Sequence, residues 1–313
     1  MNIKPVCIVC LLTRAYREIQ YSTKDTDVQF KAMKEVLQLV NNIINEQNHP
    51  MHLVPAYIGT RRDRLIKTIT GCLDPYREQK KESNKIALEL RSSIEKIIEE
   101  EEDSYKRFRL ACIAAIVGNI IEFDVLGHQF NLEEISKLVE TAEKELAIDD
   151  IPILFEKVKP GTRILYLTDN AGEIAFDVLL VRELRKLGAE VTVAVKDKPV
   201  LNDATLEDAQ AVNMVRTANQ VITIGTDTVG LILDECSETL LEHYHNSDLI
   251  IAKGMGHFET MTGYLPPTGP RIKHPLDVFF LLRTKCEPVA ISLGIERDKN
   301  VAKYLPANAV IEC

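Results

Sequence analysis

Asp169 and Asn170 end the apolar run "RILYL", and Gly172 and Glu173 follow at once in "TDNAGE". A strand cannot bury a carboxylate without a partner for its charge. Asp169 is therefore either a solvated turn residue or the seat of a cation. Asp203, in "VLND", supplies a second carboxylate after the next apolar run. Asp169, Asn170 and Asp203 are all oxygen donors, the kind that hard divalent ions such as Mg²⁺ and Mn²⁺ take alongside water. Lys253, followed by Gly254 and Gly256 in "KGMGHFE", reads as a phosphate clamp. Its glycines let backbone amides approach closely and its lysine adds a point charge. Gly172 and Glu173 open a helix, whose N-terminal amides attract anions. A metal and a lysine converging on one anion suit phosphoryl transfer, where catalysis is mostly positioning and charge neutralisation.

These residues need elements to hold them. From "RILYLTD" onward, apolar runs alternate with helical patterns: "EVTVAVK", "QVITIGT" and "DLIIAKG" read as strands. "EIAFDVLLVRELRKLG", "TLEDAQAVNM" and "ETLLEHYHN" read as helices, and either "DVFFLLRT" or "PVAISLG" reads as a final strand. Strands that are apolar throughout and alternate with helices imply a parallel sheet covered on both faces. Ligands bind beyond the carboxyl ends of such strands. Asp169 and Asn170, then Asp197 and Asp203, then Thr226 and Asp227, then Lys253, His257 and Glu259 all fall there.

Residues 1–150 read differently, as a helical domain preceding an α/β domain over 151–313. Phe30, Met33, Leu37, Val40 and Ile44 step by three and four along one helix face, as do Ile86, Leu90, Ile94, Ile97 and Ile98. "YKRFRLACIAAIVGNIIEF" is apolar on all sides from Leu110 to Ile121 and belongs at the centre of its bundle. "NLEE" has the form of a capping box opening a short helix that runs to about Leu146. "RRDR" (Arg61–Arg64) reads as a solvated face, and Asp74 before Pro75 as an N-cap.

A net charge of −9 argues against a nucleic-acid partner, which a basic face would serve. Nothing approaches the roughly 20 apolar residues of a membrane span. The seven cysteines, with no export signal ahead of them, are expected as reduced thiols in a cytoplasm. Dinucleotide and P-loop fingerprints are missing, as are the D-x-D and G-x-S-x-G nucleophile signatures. An adenosyl-dependent transferase lacks its glycine-rich first loop.

The ordered motifs "CIVC", "GCLDPYREQKKESN", "VGNIIEF", "LTDNAGE", "LNDAT" and "KGMGHFE" resemble those of the damage-control phosphatases, a family first described as domain of unknown function eighty-nine. The layout is similar to that of small archaeal-type stand-alone members with an N-terminal cysteine pair. The resemblance implies a helical domain packed on a Rossmann-like, mostly parallel α/β domain with the site between them. It implies metal ligands at Asp169, Asn170 and Asp203, a phosphate-contacting lysine at Lys253 and a substrate-facing amide at Asn119. It implies hydrolysis of phosphate esters of small metabolites, often sugar phosphates, supported by Mn²⁺, Co²⁺ or Ni²⁺. Glu173, Gly254 and His257 complete the expected substrate contacts. His257 is a departure, since the family usually has asparagine there; it could donate to substrate or bind metal. The nucleophile is a metal-bound water or Asp169 itself, the metal is left open among Mg²⁺, Mn²⁺, Co²⁺ and Ni²⁺, and a homo-oligomer is compatible with the sequence.

Cys7 and Cys10 form C-x-x-C, and Cys72 lies in "TGCLDPY". Three thiolates joined by a fourth ligand could hold zinc or an iron–sulfur cluster. A non-enzymatic metal module built on them is the alternative function, and buried apolar thiols are the plainer reading. His243 and His245 sit two apart on a helix and so do not face each other.

Overall fold

The first helices start and stop where their local chemistry says they should. The computed structural model describes residues 3–45, 54–124, 132–263, 276–307 and 309. α1 (Pro5–Ser22) and α3 (Pro55–Thr70) each begin on a proline, whose missing N–H is no loss in a first turn. Asp25 Oδ1 accepts the N–H groups of Asp27 and Val28 at the head of α2 (Thr26–Asn45). α4 (Arg77–Glu100), α5 (Ser104–Asp124) and α6 (Leu132–Lys144) complete the helical run. Asp103 Oδ1 caps α5 through the Lys106 N–H.

The remainder alternates: β1 (Leu146–Asp149), α7 (Ile151–Lys157), β2 (Arg163–Leu167), α8 (Glu173–Lys186), β3 (Glu190–Val195), α9 (Leu206–Ala211), α10 (Met214–Thr217) and β4 (Gln220–Thr223). α11 (Glu238–Asn246), β5 (Leu249–Lys253), α12 (Gly254–Gly263), β6 (Asp277–Arg283), α13 (Glu287–Leu293) and β7 (Asn300–Leu305) follow. The seven strands form one sheet in the order β1-β7-β6-β5-β2-β3-β4. Every pairing is parallel except β6 with β7. The fold is α/β with a mostly parallel sheet, and its strand order reverses between β5 and β2, where ligand crevices form.

Alternation along the strands divides the core. Ile164, Tyr166, Val191, Val193, Ile251 and Phe279 face a cluster shared with α4, α5 and α8. Leu165, Leu167, Ala194, Ile250, Val278 and Phe280 face α11, α12 and α13. Full burial of each such aliphatic side chain is worth about 1.5–3 kcal/mol. Leu11, Ala15, Ile19, Ala32, Val36, Val40, Ile58 and Ile66 form a third cluster confined to α1, α2 and α3.

Several expectations need correction. "PVAISLG" is α13, begun by Pro288 in its first turn, and is not a strand. The last strand is β7, whose "NVAKYL" runs antiparallel to β6. The segment from Leu146 to Asp149 is an edge strand on β7. On α2 the buried face is Ala32, Val36, Val40 and Ile43, and the large residues Phe30, Leu37 and Ile44 are exposed. Arg62 and Asp63 of "RRDR" are buried, Arg62 against Glu18 at 3.1 Å. Asp74 is not the N-cap of α4, a position held by Tyr76; it accepts the Tyr76 N–H and pairs with Lys80 at 2.9 Å.

Candidate metal and phosphate site

β2 and β3 run side by side, so their carboxyl ends emerge together. Ala204 donates its N–H to Asp169 O at 2.8 Å, and Ala171 donates to Asn202 O at 2.9 Å. Asn170 and Asp203 thereby lie in a two-residue antiparallel bridge. The turn after Asp203 is fixed by a capping box, in which Thr205 N and Oγ1 both donate to Asp208 Oδ2. Asn84 of α4 ties the two loops: its Nδ2 donates to Asp208 Oδ1 and its Oδ1 accepts the Gly172 N–H, both at 2.8 Å.

Asp169 lies against the first residue of α12. A Cβ on Gly254 would overlap the Asp169 carboxylate, and Gly254 has φ +76°, so the position demands glycine twice over. Asn170 Nδ2 donates to Asp169 Oδ2 at 2.8 Å and to Glu173 Oε2 at 3.0 Å. Burial first, then the negative charges of Glu173 and Asp203, push the Asp169 carboxyl well above the usual carboxylate range, against the pull of Lys285 and Lys253. Burial also raises Asp203, opposed by Lys196, whose Nζ lies 3.5 Å from its Oδ2. Negative charges that raise one another are what a bound cation would relieve. Among the described residues no three His, Cys, Asp or Glu side chains gather as a ready metal cluster. The set Asp169, Asn170 and Asp203 contains only two such residues, the third donor being an amide oxygen.

Lys253 was expected to grip phosphate. Its side chain is fully buried, and its Nζ donates to Glu173 Oε1 at 2.5 Å, Asp177 Oδ1 at 2.7 Å and Ala115 O at 2.7 Å. An ammonium has three protons, and here all three have protein acceptors. His257 is buried, with Nδ1 2.7 Å from Lys253 O. Burial, then the charges of Lys196 and Lys253, hold its imidazole down at about 3. The ring is therefore neutral at neutral pH. A carbonyl only accepts, so Nδ1 carries the proton and Nε2 is an acceptor. In that tautomer His257 accepts at Nε2 and does not donate to a substrate oxygen, one of the two roles expected of it.

Two cations were missed. Lys196 directly follows β3, is buried, and donates to Gly230 O at 2.7 Å. Lys285 lies two residues beyond β6, is partly exposed, and its charge reaches Asp169. Both stand at carboxyl ends of strands, so the positional rule that singled out Asp169 applied to them as well. Asp197 instead accepts from Thr223 Oγ1, and Asp227 pairs with Arg64 of α3 at 2.6 Å. Glu259 lies within the field of Arg14, and burial pushes its carboxyl up to about 7. Asn119 lies on α5, but its side chain is outside the described residues. A separate hollow of about 320 Å³, lined by Lys157, Thr162, Asp248 and Asp277, opens at the opposite, amino ends of β2, β5 and β6.

Cys286 lies within electrostatic reach of Cys7 and Cys10. Burial raises both Cys7 and Cys286. Cys72 follows Gly71 at the end of α3, where its N–H donates to Thr70 Oγ1. All the cysteines among the described residues are free thiols.

The model of the damage-control phosphatase ARMT1-like domain matches residues 3–301. The chain belongs to the damage-control phosphatase family. A damage-control phosphatase of Archaeoglobus fulgidus is 34% identical over 97% of this chain and 100% of its own. One from Pyrococcus horikoshii is 33% identical over 95% of this chain and 96% of its own. An uncharacterised protein of Methanocaldococcus jannaschii is 37% identical over 96% of this chain and 95% of its own. The crystal structure of a family protein from Pyrococcus horikoshii superposes with a TM-score of 0.82 over 99% of this chain and 100% of that one. As a damage-control phosphatase family member, this chain presents Asp169, Asn170 and Asp203 on one rim of its sheet.

Proposed function

We propose that this protein is a metal-dependent phosphatase that hydrolyses phosphate monoesters of small, sugar-phosphate-like metabolites. Family membership and the archaeal relatives named damage-control phosphatases support the phosphatase role. The observation that carries the metal dependence is Asp169, whose carboxylate is driven toward protonation by burial and by Glu173 and Asp203. A divalent ion (Mn²⁺, Co²⁺, Ni²⁺ or Mg²⁺) held by Asp169, Asn170 and Asp203 fits that excess of negative charge, and when bound supplies charge neutralisation at a phosphate oxygen.

The chain's own groups do the rest. Asp169 and Asp203, two carboxylates at one rim, orient the anion only once a cation offsets them. Lys285, whose charge reaches Asp169, is the cation assigned to the phosphate oxygens, because the ammonium of Lys253 is held by Glu173 and Asp177 and that of Lys196 by Gly230 O and Asp203. Neutral His257 offers an acceptor at Nε2, suited to a substrate hydroxyl. The test is release of phosphate from p-nitrophenyl phosphate with each divalent ion in turn, in wild type and in Asp169→Ala. Metal-dependent turnover is expected in the former and none in the latter; unchanged turnover in Asp169→Ala would refute the site.

A further inference from the structure

Lys253 is the best-partnered cation at the rim, and its partners lead back to a metal ligand. Tyr166 of β2 donates its hydroxyl to Asp177 Oδ1 at 2.7 Å, and Lys253 donates to the same oxygen at 2.7 Å. Lys253 also donates to Glu173 Oε1, and the other oxygen of that carboxylate, Oε2, accepts from Asn170 Nδ2 at 3.0 Å. Tyr166, Asp177, Lys253 and Glu173 are each 1% exposed or less. We infer that Lys253 is a positioning residue: the buried series Tyr166–Asp177–Lys253–Glu173 fixes the Asn170 amide with its oxygen toward the cation site, and Lys253 does not touch substrate. This rests on the reading of Asp169, Asn170 and Asp203 as ligands of a divalent ion.

An amide's two ends differ only in what they bond: the nitrogen donates twice and the oxygen accepts. Both Asn170 protons point at carboxylate oxygens, on Asp169 and Glu173. The flipped amide would set its oxygen against both carboxylates. Glu173 therefore determines that Asn170 offers Oδ1 to a cation, and Lys253 determines where Glu173 stands. To reach a phosphate, Lys253 would have to give up one of its three buried acceptors, Glu173, Asp177 or Ala115 O, and leaving a buried acceptor short of its donor is destabilising. Partners one step behind a metal ligand typically change metal affinity roughly 10- to 100-fold when removed.

The experiment measures Mn²⁺ affinity without substrate, by the electron-paramagnetic signal of free Mn²⁺, in the full chain and in Lys253→Met, Asp177→Asn and Tyr166→Phe. Inhibition of turnover by inorganic phosphate at saturating Mn²⁺ is measured beside it. The expected result is a Mn²⁺ dissociation constant raised roughly 10- to 100-fold in Lys253→Met, less in Asp177→Asn and least in Tyr166→Phe. Phosphate inhibition at saturating Mn²⁺ should stay within about threefold of wild type, since uniform anion binding is untouched. Unchanged Mn²⁺ affinity with weakened phosphate inhibition in Lys253→Met overturns the inference and restores the clamp. If Lys253→Met fails to fold, unaltered Mn²⁺ affinity in both Asp177→Asn and Tyr166→Phe overturns it equally. Wild type that binds no Mn²⁺ sinks both this inference and the metal reading. The expected affinity series in a protein that cleaves no phosphate ester leaves the inference standing and removes only the phosphatase reading.

Discussion

Gly254 shows how tightly single residues are constrained at this rim. It follows β5 directly, sits at φ +76°, and a Cβ there would lie 2.0 Å from Asp169 Oδ2. Gly254→Ala places a side chain in a left-handed conformation, which costs roughly 1–2 kcal/mol, and forces Asp169 to move. The expected outcome is a protein that still folds, with a lower melting temperature, and metal-dependent turnover reduced by about 100-fold or more, as small misplacements of catalytic groups produce. Circular-dichroism melts and phosphate release measure the two effects separately, and wild-type turnover in Gly254→Ala would contradict the packing. His257 makes a different prediction. Its folded value of about 3 lies below the ordinary 6.5, so between those values the unfolded chain binds more protons than the native one. Stability contributed by the neutral ring is therefore complete above about pH 6.5 and is lost as pH falls toward 3. His257→Asn should flatten the fall in denaturation midpoint between pH 6.5 and 4, while leaving the shape of the pH–rate profile above pH 6.5 unaltered. An inflection near neutrality that vanishes in His257→Asn would show a titrating imidazole instead.

At the scale of elements, the acidic rim is held from the helical side. Asn84 of α4 is buried and bonds two loops, one through Gly172 N and one through Asp208 Oδ1. Gly118 lets α5 close on α8, because a Cβ there would lie 2.8 Å from Phe176 and 3.2 Å from Glu173. That approach brings Ala115 O to Lys253. Asn84→Ala leaves the buried Gly172 N–H without its acceptor, at a destabilisation of about 1–3 kcal/mol. Hydrogen exchange should quicken at Gly172 and around Asp208 with little change in β5; exchange unaltered at both loops would mean that α4 is not what ties them. The strand ends carrying Asp169, Asn170 and Asp203 were legible because they follow apolar runs between helices, a pattern local in sequence. The engagement of Lys253 was not, because its acceptors come from α5 and α8, which no local spacing reveals. β7 escaped notice since Lys303 interrupts a short run, and α13 was ambiguous because a few apolar residues fit either period. The face of α2 was misjudged because Phe30, Met33, Leu37, Val40 and Ile44 also step by three and four, and periodicity does not say which of two apolar faces packs inward.

For the whole molecule, the division that matters energetically is not the change from helices to strands. α4 and α5 share one hydrophobic cluster with α8 and the sheet, whereas α1, α2 and α3 enclose their own. The junction between these bodies joins a small apolar cluster, in which Val54 and Ala56 meet Ile232, to a set of polar ties. Arg64 of α3 reaches Asp227 and Glu235 at 2.6 Å each, Asp63 Oδ1 accepts the Leu201 N–H at 3.2 Å, and Lys67 donates to Pro199 O. Partly exposed ion pairs hold less tightly than a shared apolar core, so the N-terminal three helices should open before the rest. The contacts at Leu201 and Pro199 lie in the loop that delivers Asp203, so such opening would loosen one arm of the proposed cation site. Native-state hydrogen exchange in rising guanidinium tests this. Amides of α1–α3 should merge into an opening isotherm at lower free energy than those of α5, α8, β2 and β5. On the proposed metal site, Mn²⁺ should raise the isotherm of the sheet and slow exchange at residues 199–203 as well. One isotherm common to all helices and strands would show instead that α1–α3 and the sheet unfold as one cooperative unit.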